Sequence, residues 1–176
     1  MMTTLKWFKL PLLLLLLASC SEMEEGRKNH REERLIDDSG FFRGYRMGWS
    51  PDTLLLKEKW TPEVSSDSTI EYHKRILAYR DSVRVNAYLA FDTYGLFEIQ
   101  VDLFFDSDSM HSTIEKEWSE KLTFSFGEPE SLLTTKRWTT FSESNNLVEI
   151  SLSQERTISK EPFISLNYLE PLNDEY

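Results

Sequence analysis

The chain has 176 residues, 40% apolar and 28% charged, a length suited to one domain and an apolar share that supports a packed core and excludes global disorder. Asp plus Glu number 30 against Lys plus Arg 20, a formal charge of -10. A surface of that sign repels phosphate backbones and anionic headgroups, which excludes nucleic acid as a partner.

Lys6 and Lys9, the apolar run Leu10 to Leu17 and the small pair Ala18-Ser19 have the three-part layout of a secretory signal over residues 1–19. The run is about half of the ~20 residues that a membrane-crossing helix needs. Leu17-Ala18-Ser19-Cys20 resembles a bacterial lipobox, which implies cleavage before Cys20, lipidation of its thiol and acylation of the new amino terminus. Cys20 is the only cysteine, so no disulfide forms within the chain. Ser rather than Asp at position 21 resembles lipoproteins sorted to the outer membrane. Ser21-Glu22-Met23-Glu24-Glu25 is similar to the acidic export signal of surface lipoproteins, and reads equally well as a solvated acidic run.

Residues 20–40 are dense in charge, with Leu35 and Ile36 their only branched or long aliphatic residues, and read as a tether. A single α+β domain is predicted over 41–172, with 173–176 as a tail. Ser50-Pro51-Asp52 is a helix start: an oxygen-bearing cap, Pro at the first helical position and an acid in the first turn. Thr61-Pro62 stops that helix. Thr69 to Tyr79 reads as a strand. Val83 to Phe91 and Phe97 to Phe105 alternate apolar and polar residues as half-buried strands, joined by an Asp92-Thr93-Tyr94-Gly95 hairpin turn.

Asp106 to Ser109 caps a second helix, in which Ile114, Trp118, Leu122 and Phe126 form one apolar stripe. Gly127 and Pro129 mark its exit. Extended segments follow at Lys136 to Phe141, Leu147 to Ser153 and Pro162 to Leu169, with Asn145-Asn146 as a turn. The layout is helix then three strands, stated twice. It predicts an α+β fold of two helix-plus-three-strand units, with an antiparallel sheet and the helices packed on one face. Duplication of 41–106 in 107–172 is a hypothesis on layout alone.

Gly48-Trp49-Ser50-Pro51-Asp52-Thr53-Leu54 is similar to the helix start of the SmpA/BamE-type outer-membrane lipoproteins, and Phe126-Gly127-Glu128-Pro129 to their helix exit. The helix-plus-sheet unit is similar to the one doubled in the β-lactamase-inhibitor-protein-like fold. These resemblances imply a protein that binds macromolecules or small polar ligands rather than a catalyst.

The residues themselves offer no catalytic pattern. His30, His73 and His111 lie in separate segments, and Asp106-Ser107-Asp108, although similar to a calcium-loop opening, has His111 where the loop needs Gly, so no metal or other cofactor is expected. There is no G-x-S-x-G elbow and no phosphate loop among six glycines, so the chain is not expected to be an enzyme. Two surfaces are candidates for binding. Phe41 to Trp49 interleaves aromatics, Arg and Gly, with Tyr45, Arg46 and Trp49 as contact residues. The alternative is a first strand burying Phe41, Tyr45 and Trp49. The second surface is the outward face of the paired strands, with Arg84, Tyr88 and Gln100 beside Asn86, Glu98 and Asp102. The expectation is a lipid-anchored outer-membrane lipoprotein that binds an envelope protein, or alternatively a small ligand or glycan.

Overall fold

The computed structural model describes residues 34–78, 81–106 and 108–171. The signal segment, Cys20 and the acidic run after it lie outside the described residues. Among the described residues eight strands form one sheet: β1 (Val64–Ser65), β2 (Thr69–Ala78), β3 (Asp81–Asp92), β4 (Gly95–Phe104), β5 (Glu130–Leu132), β6 (Thr135–Phe141), β7 (Leu147–Arg156) and β8 (Pro162–Leu169). Among the described residues two helices accompany them, α1 (Pro51–Lys57) and α2 (Asp108–Phe126). The spatial order is β1-β2-β3-β4-β8-β7-β6-β5, so two four-strand meanders meet where β4 pairs with β8. Every neighbouring pair is antiparallel.

This corrects the α+β expectation. Among the described residues the fold is mostly β, a single eight-strand sheet with helices of seven and nineteen residues, and strands hold more than twice as many described residues as helices. The reason lies in what covers the sheet. α1 starts as its sequence dictates, with Ser50 Oγ accepting from Thr53 N–H, but it ends after seven residues when the backbone turns extended at Glu58. α2 is the helix that packs along the strands, against β6, β7 and β8. It does so through Ile114, Trp118 and Leu122, each fully buried, as their four-residue spacing predicts.

Over the other half, the cover is mostly irregular backbone. Leu35, Ile36, Phe42, Tyr45, Met47 and Leu54 are buried in the same core as the sheet residues. Phe42 meets the edge of Trp60, and Trp60 the edge of Tyr72 on β2. The folded region therefore begins by Leu35 rather than at 41, because Leu35 and Ile36, set among charges, supply core side chains and Ile36 bridges to Phe42. Residues 41–49 do not form the alternative strand. Left-handed glycines at 40, 44 and 48 break them into turns, and Phe42, Tyr45 and Met47 are the buried residues rather than Phe41 and Trp49.

The sheet has one apolar face. Ile70, Leu89, Ile99, Tyr168, Ile150 and Trp138 stand in one register row across six strands, none more than 2% exposed. Strict alternation then sends the intervening side chains to the opposite face.

Candidate binding surface

The opposite face is polar and, among the described residues, carries no helix. One row reads Glu71, Tyr88, Gln100, Asn167, Ser151 and Arg137, each directly opposite the next. The row beside it reads His73, Asn86, Asp102, Ser165 and Ser153. Side chains bond along and across these rows. Ser165 Oγ donates to Asp102 Oδ1 at 2.7 Å, Gln100 Nε2 to Asp102 Oδ2 at 3.2 Å, and Asn167 Nδ2 to Glu98 Oε1 at 3.2 Å. His73 Nδ1 lies 3.1 Å from Asn86 Oδ1. Burial raises the Asp102 carboxyl above its ordinary value against the opposing hydrogen bonds from Ser165 and Gln100, with the Glu155 charge adding to the rise. Asn167 Oδ1 is buried without a hydrogen-bond donor among the described residues. Tyr88 stands 37% exposed between Glu71 and Gln100.

A third row closes this face with a ladder. Arg84 lies 4.3 Å over the Phe104 ring, which stacks on Phe163 at 5.1 Å. Arg84 Nη2 also donates to both carboxylate oxygens of Glu161, at 2.9 and 3.0 Å. Arg84, Tyr88 and Gln100, singled out from the strand alternation, thus share one face. Glu71, Asn167 and Ser165 join them from β2 and β8. Their signal was the same polar alternation, but only the register shows which strands stand side by side.

The other three candidate residues belong to the segment that covers the inner face. Tyr45 is 2% exposed and its hydroxyl donates to Glu58, so it offers no surface. Arg46 donates to Tyr45 O at 3.2 Å, approaches Asp37 Oδ2 at 3.4 Å and lies over the Phe41 ring. Trp49 carries the Lys57 ammonium 4.7 Å from its ring centre. The structure does not bring these three together with Tyr88.

Under that covering segment sits a polar cluster with no counterpart in the sequence reading. Arg43 binds the Glu58 carboxylate through two nitrogens, each at 2.8 Å, and lies 4.0 Å over the Trp60 ring. The backbone N–H groups of Lys59 and Trp60 donate to Glu58 Oε1 at 2.6 and 2.8 Å. Burial pushes the Glu58 carboxyl upward, but the hydrogen bonds from Arg43, Tyr45 and Trp60 N–H together with the Arg43 charge outweigh it and hold the group below its ordinary value. A carboxylate so fully engaged at both oxygens fastens structure and has no lone pair left for chemistry.

Among the described residues no group of three His, Cys, Asp or Glu is placed to hold a metal ion, and no helix is long and apolar enough to cross a membrane. Comparison with family models, curated proteins and solved structures finds no match to this chain.

Proposed function

We propose that this chain is a lipid-anchored, non-catalytic binding module of the bacterial outer membrane, and that an envelope protein docks on the polar face of its sheet. The observation that supports it is the extent of that face: a continuous array of hydrogen-bonding side chains across six strands, with the half-exposed Tyr88 in it. Sheets with one solvated face are a natural docking surface, and Tyr and Arg are the residue types that most often dominate binding energy. The test is crosslinked capture of the stoichiometric partner from the native envelope. Tyr88→Ala combined with Gln100→Ala is expected to reduce its recovery at least tenfold, or about 1.4 kcal/mol, while the variant still unfolds in one cooperative urea transition. Unaltered recovery removes the face from the proposal.

The anchor has its own test. Cys20→Ser is expected to abolish fatty-acid labelling and to leave the precursor uncleaved at residue 20, because the lipidated thiol is the substrate of that cleavage. Label that persists in the variant refutes the lipobox assignment.

A second reading, recognition of a neutral glycan by the same face, draws on one observation. Gln100, Asn167 and Asp102 group two amides and a half-buried carboxyl, the donors and acceptors that sugar hydroxyls match. It predicts that a glycan raises the melting temperature of the purified chain, and that the rise continues with the logarithm of glycan concentration once the site is filled. A panel of neutral oligosaccharides that leaves the melting temperature fixed excludes it.

A further inference from the structure

We infer that the outer edge of β2 accepts an extended, acidic segment of a partner protein as an additional strand. The inference rests on the binding reading above and names the chemistry of the partner, but it concerns a different surface. β2 spans Thr69–Ala78, whereas its outer neighbour β1 pairs only with Ile70 and Glu71. Pro62 precedes β1 and has no N–H to extend the ladder. Glu63 N–H donates to Glu71 O and Ser66 N–H to Thr69 O, which shows that the odd-numbered residues of β2 turn their backbone groups outward. By the two-residue period, His73, Arg75 and Leu77 present N–H and C=O to the same side, where no strand stands among the described residues. An edge of this kind is a template for strand addition.

Charge decides which strand fits. The stretch His73-Lys74-Arg75-Ile76-Leu77-Ala78 holds two cations and no acid in a chain of net charge -10. Arg75 stands directly opposite Arg84, an unfavourable like-charge pair. Arg84 is neutralised by Glu161, but Arg75 hydrogen-bonds only the Ser82 hydroxyl, at 3.2 Å, and meets no carboxylate among the side chains described. A guest strand with an acid opposite Arg75 supplies the missing countercharge. A second copy of the chain, laid antiparallel on this edge, would bring Lys74 and Arg75 against their own kind. Leu77, 48% exposed, gives an apolar neighbour for the same guest.

The test uses the full purified chain and two synthetic peptides of roughly ten residues, one alternating Val with Glu and one alternating Val with Lys. The Val/Glu peptide is expected to slow amide hydrogen exchange at His73, Arg75 and Leu77 and to bind about fivefold or more tightly than the Val/Lys peptide. Arg75→Glu is expected to reverse that preference. Exchange at the three amides that ignores the Val/Glu peptide, or equal affinity for both peptides, overturns the inference on the unmutated chain alone. Protection that instead rises with protein concentration in the absence of peptide assigns the edge to a second copy and overturns it as well. If peptide binding fails while partner recovery still depends on Tyr88 and Gln100, the edge is removed and the face reading stands.

Discussion

Glu58→Ala is expected to lower the unfolding free energy by about 3–5 kcal/mol, measured by urea denaturation at neutral pH. The Glu58 and Arg43 side chains are 2% and 13% exposed, so deleting the carboxylate removes two charge-assisted hydrogen bonds from a largely buried guanidinium. It also leaves the Tyr45 hydroxyl and the N–H groups of Lys59 and Trp60 without their common acceptor. Glu58→Gln retains the shape and an acceptor but not the charge, and a loss of about 1–3 kcal/mol is expected. The two variants also differ from the parent in acid. The folded Glu58 carboxyl lies below its unfolded value, so its contribution is fully present above the ordinary carboxylate range and fades as pH falls through the folded value. The parent should lose this part of its stability in acid, and Glu58→Gln should flatten that limb of the curve. Parallel pH profiles for parent and Glu58→Gln would place the acid sensitivity elsewhere. The cluster holds its neighbours in their neutral forms. Burial first, and then the Glu58 charge, push the Tyr72 hydroxyl up to about 12. Burial and the Glu58 hydrogen bond hold Tyr45 well above the ordinary phenol value.

Glu58 also shows where local reading stops. The cap and proline that start α1, the apolar stripe of α2 and the alternation of β3 and β4 are encoded within a few residues of where they act, and each forms as the sequence predicts. The hairpin at Asp92 to Gly95 is equally local, with Asp92 Oδ1 accepting from Tyr94 N–H. The partner of Glu58 is fifteen residues away, across turns and the whole of α1, and nothing in the spacing of Arg43, Tyr45 and Glu58 marks them as one cluster. Leu35 and Ile36 have the same difficulty, since their charged neighbours outweigh two aliphatic residues in any composition window. β1 and β5 hold two and three residues, too short to show a period. The largest miss, helices as the main cover of the sheet, follows from these. Turns carry no periodicity, so a layer built by Phe42, Tyr45, Met47 and Trp60 could not be seen as a layer. On the polar face, alternation was enough to place Arg84, Tyr88 and Gln100 together. It could not show that β4 pairs with β8, which is what sets Asn167 beside Gln100.

Gly95→Ala is expected to cost about 2–4 kcal/mol, and Gly127→Ala about 1 kcal/mol, in matched urea titrations. Both glycines hold positive φ, +114° at Gly95 and +86° at Gly127, so both alanines pay for a left-handed backbone. Their surroundings differ. At Gly127 an added Cβ meets no heavy atom within 4 Å, and the loss is that of conformation alone. At Gly95 the Cβ would overlap the carbonyl of Gly48, a backbone group that cannot rotate away as a side chain would. Gly48 is fixed from both sides: its own N–H donates to Leu96 O at 2.8 Å, and Leu96 N–H donates to Trp49 O at 2.8 Å. Making room therefore means disturbing these two backbone hydrogen bonds, which tie the β3–β4 hairpin to the turns that cover the core. Gly95→Ala should then speed proteolysis within residues 41–49 as well as lower global stability, whereas Gly127→Ala should not. Equal losses from the two alanines would show that the Gly48 carbonyl yields freely, and that the covering segment is held by its buried side chains and the Glu58 cluster rather than by these two hydrogen bonds.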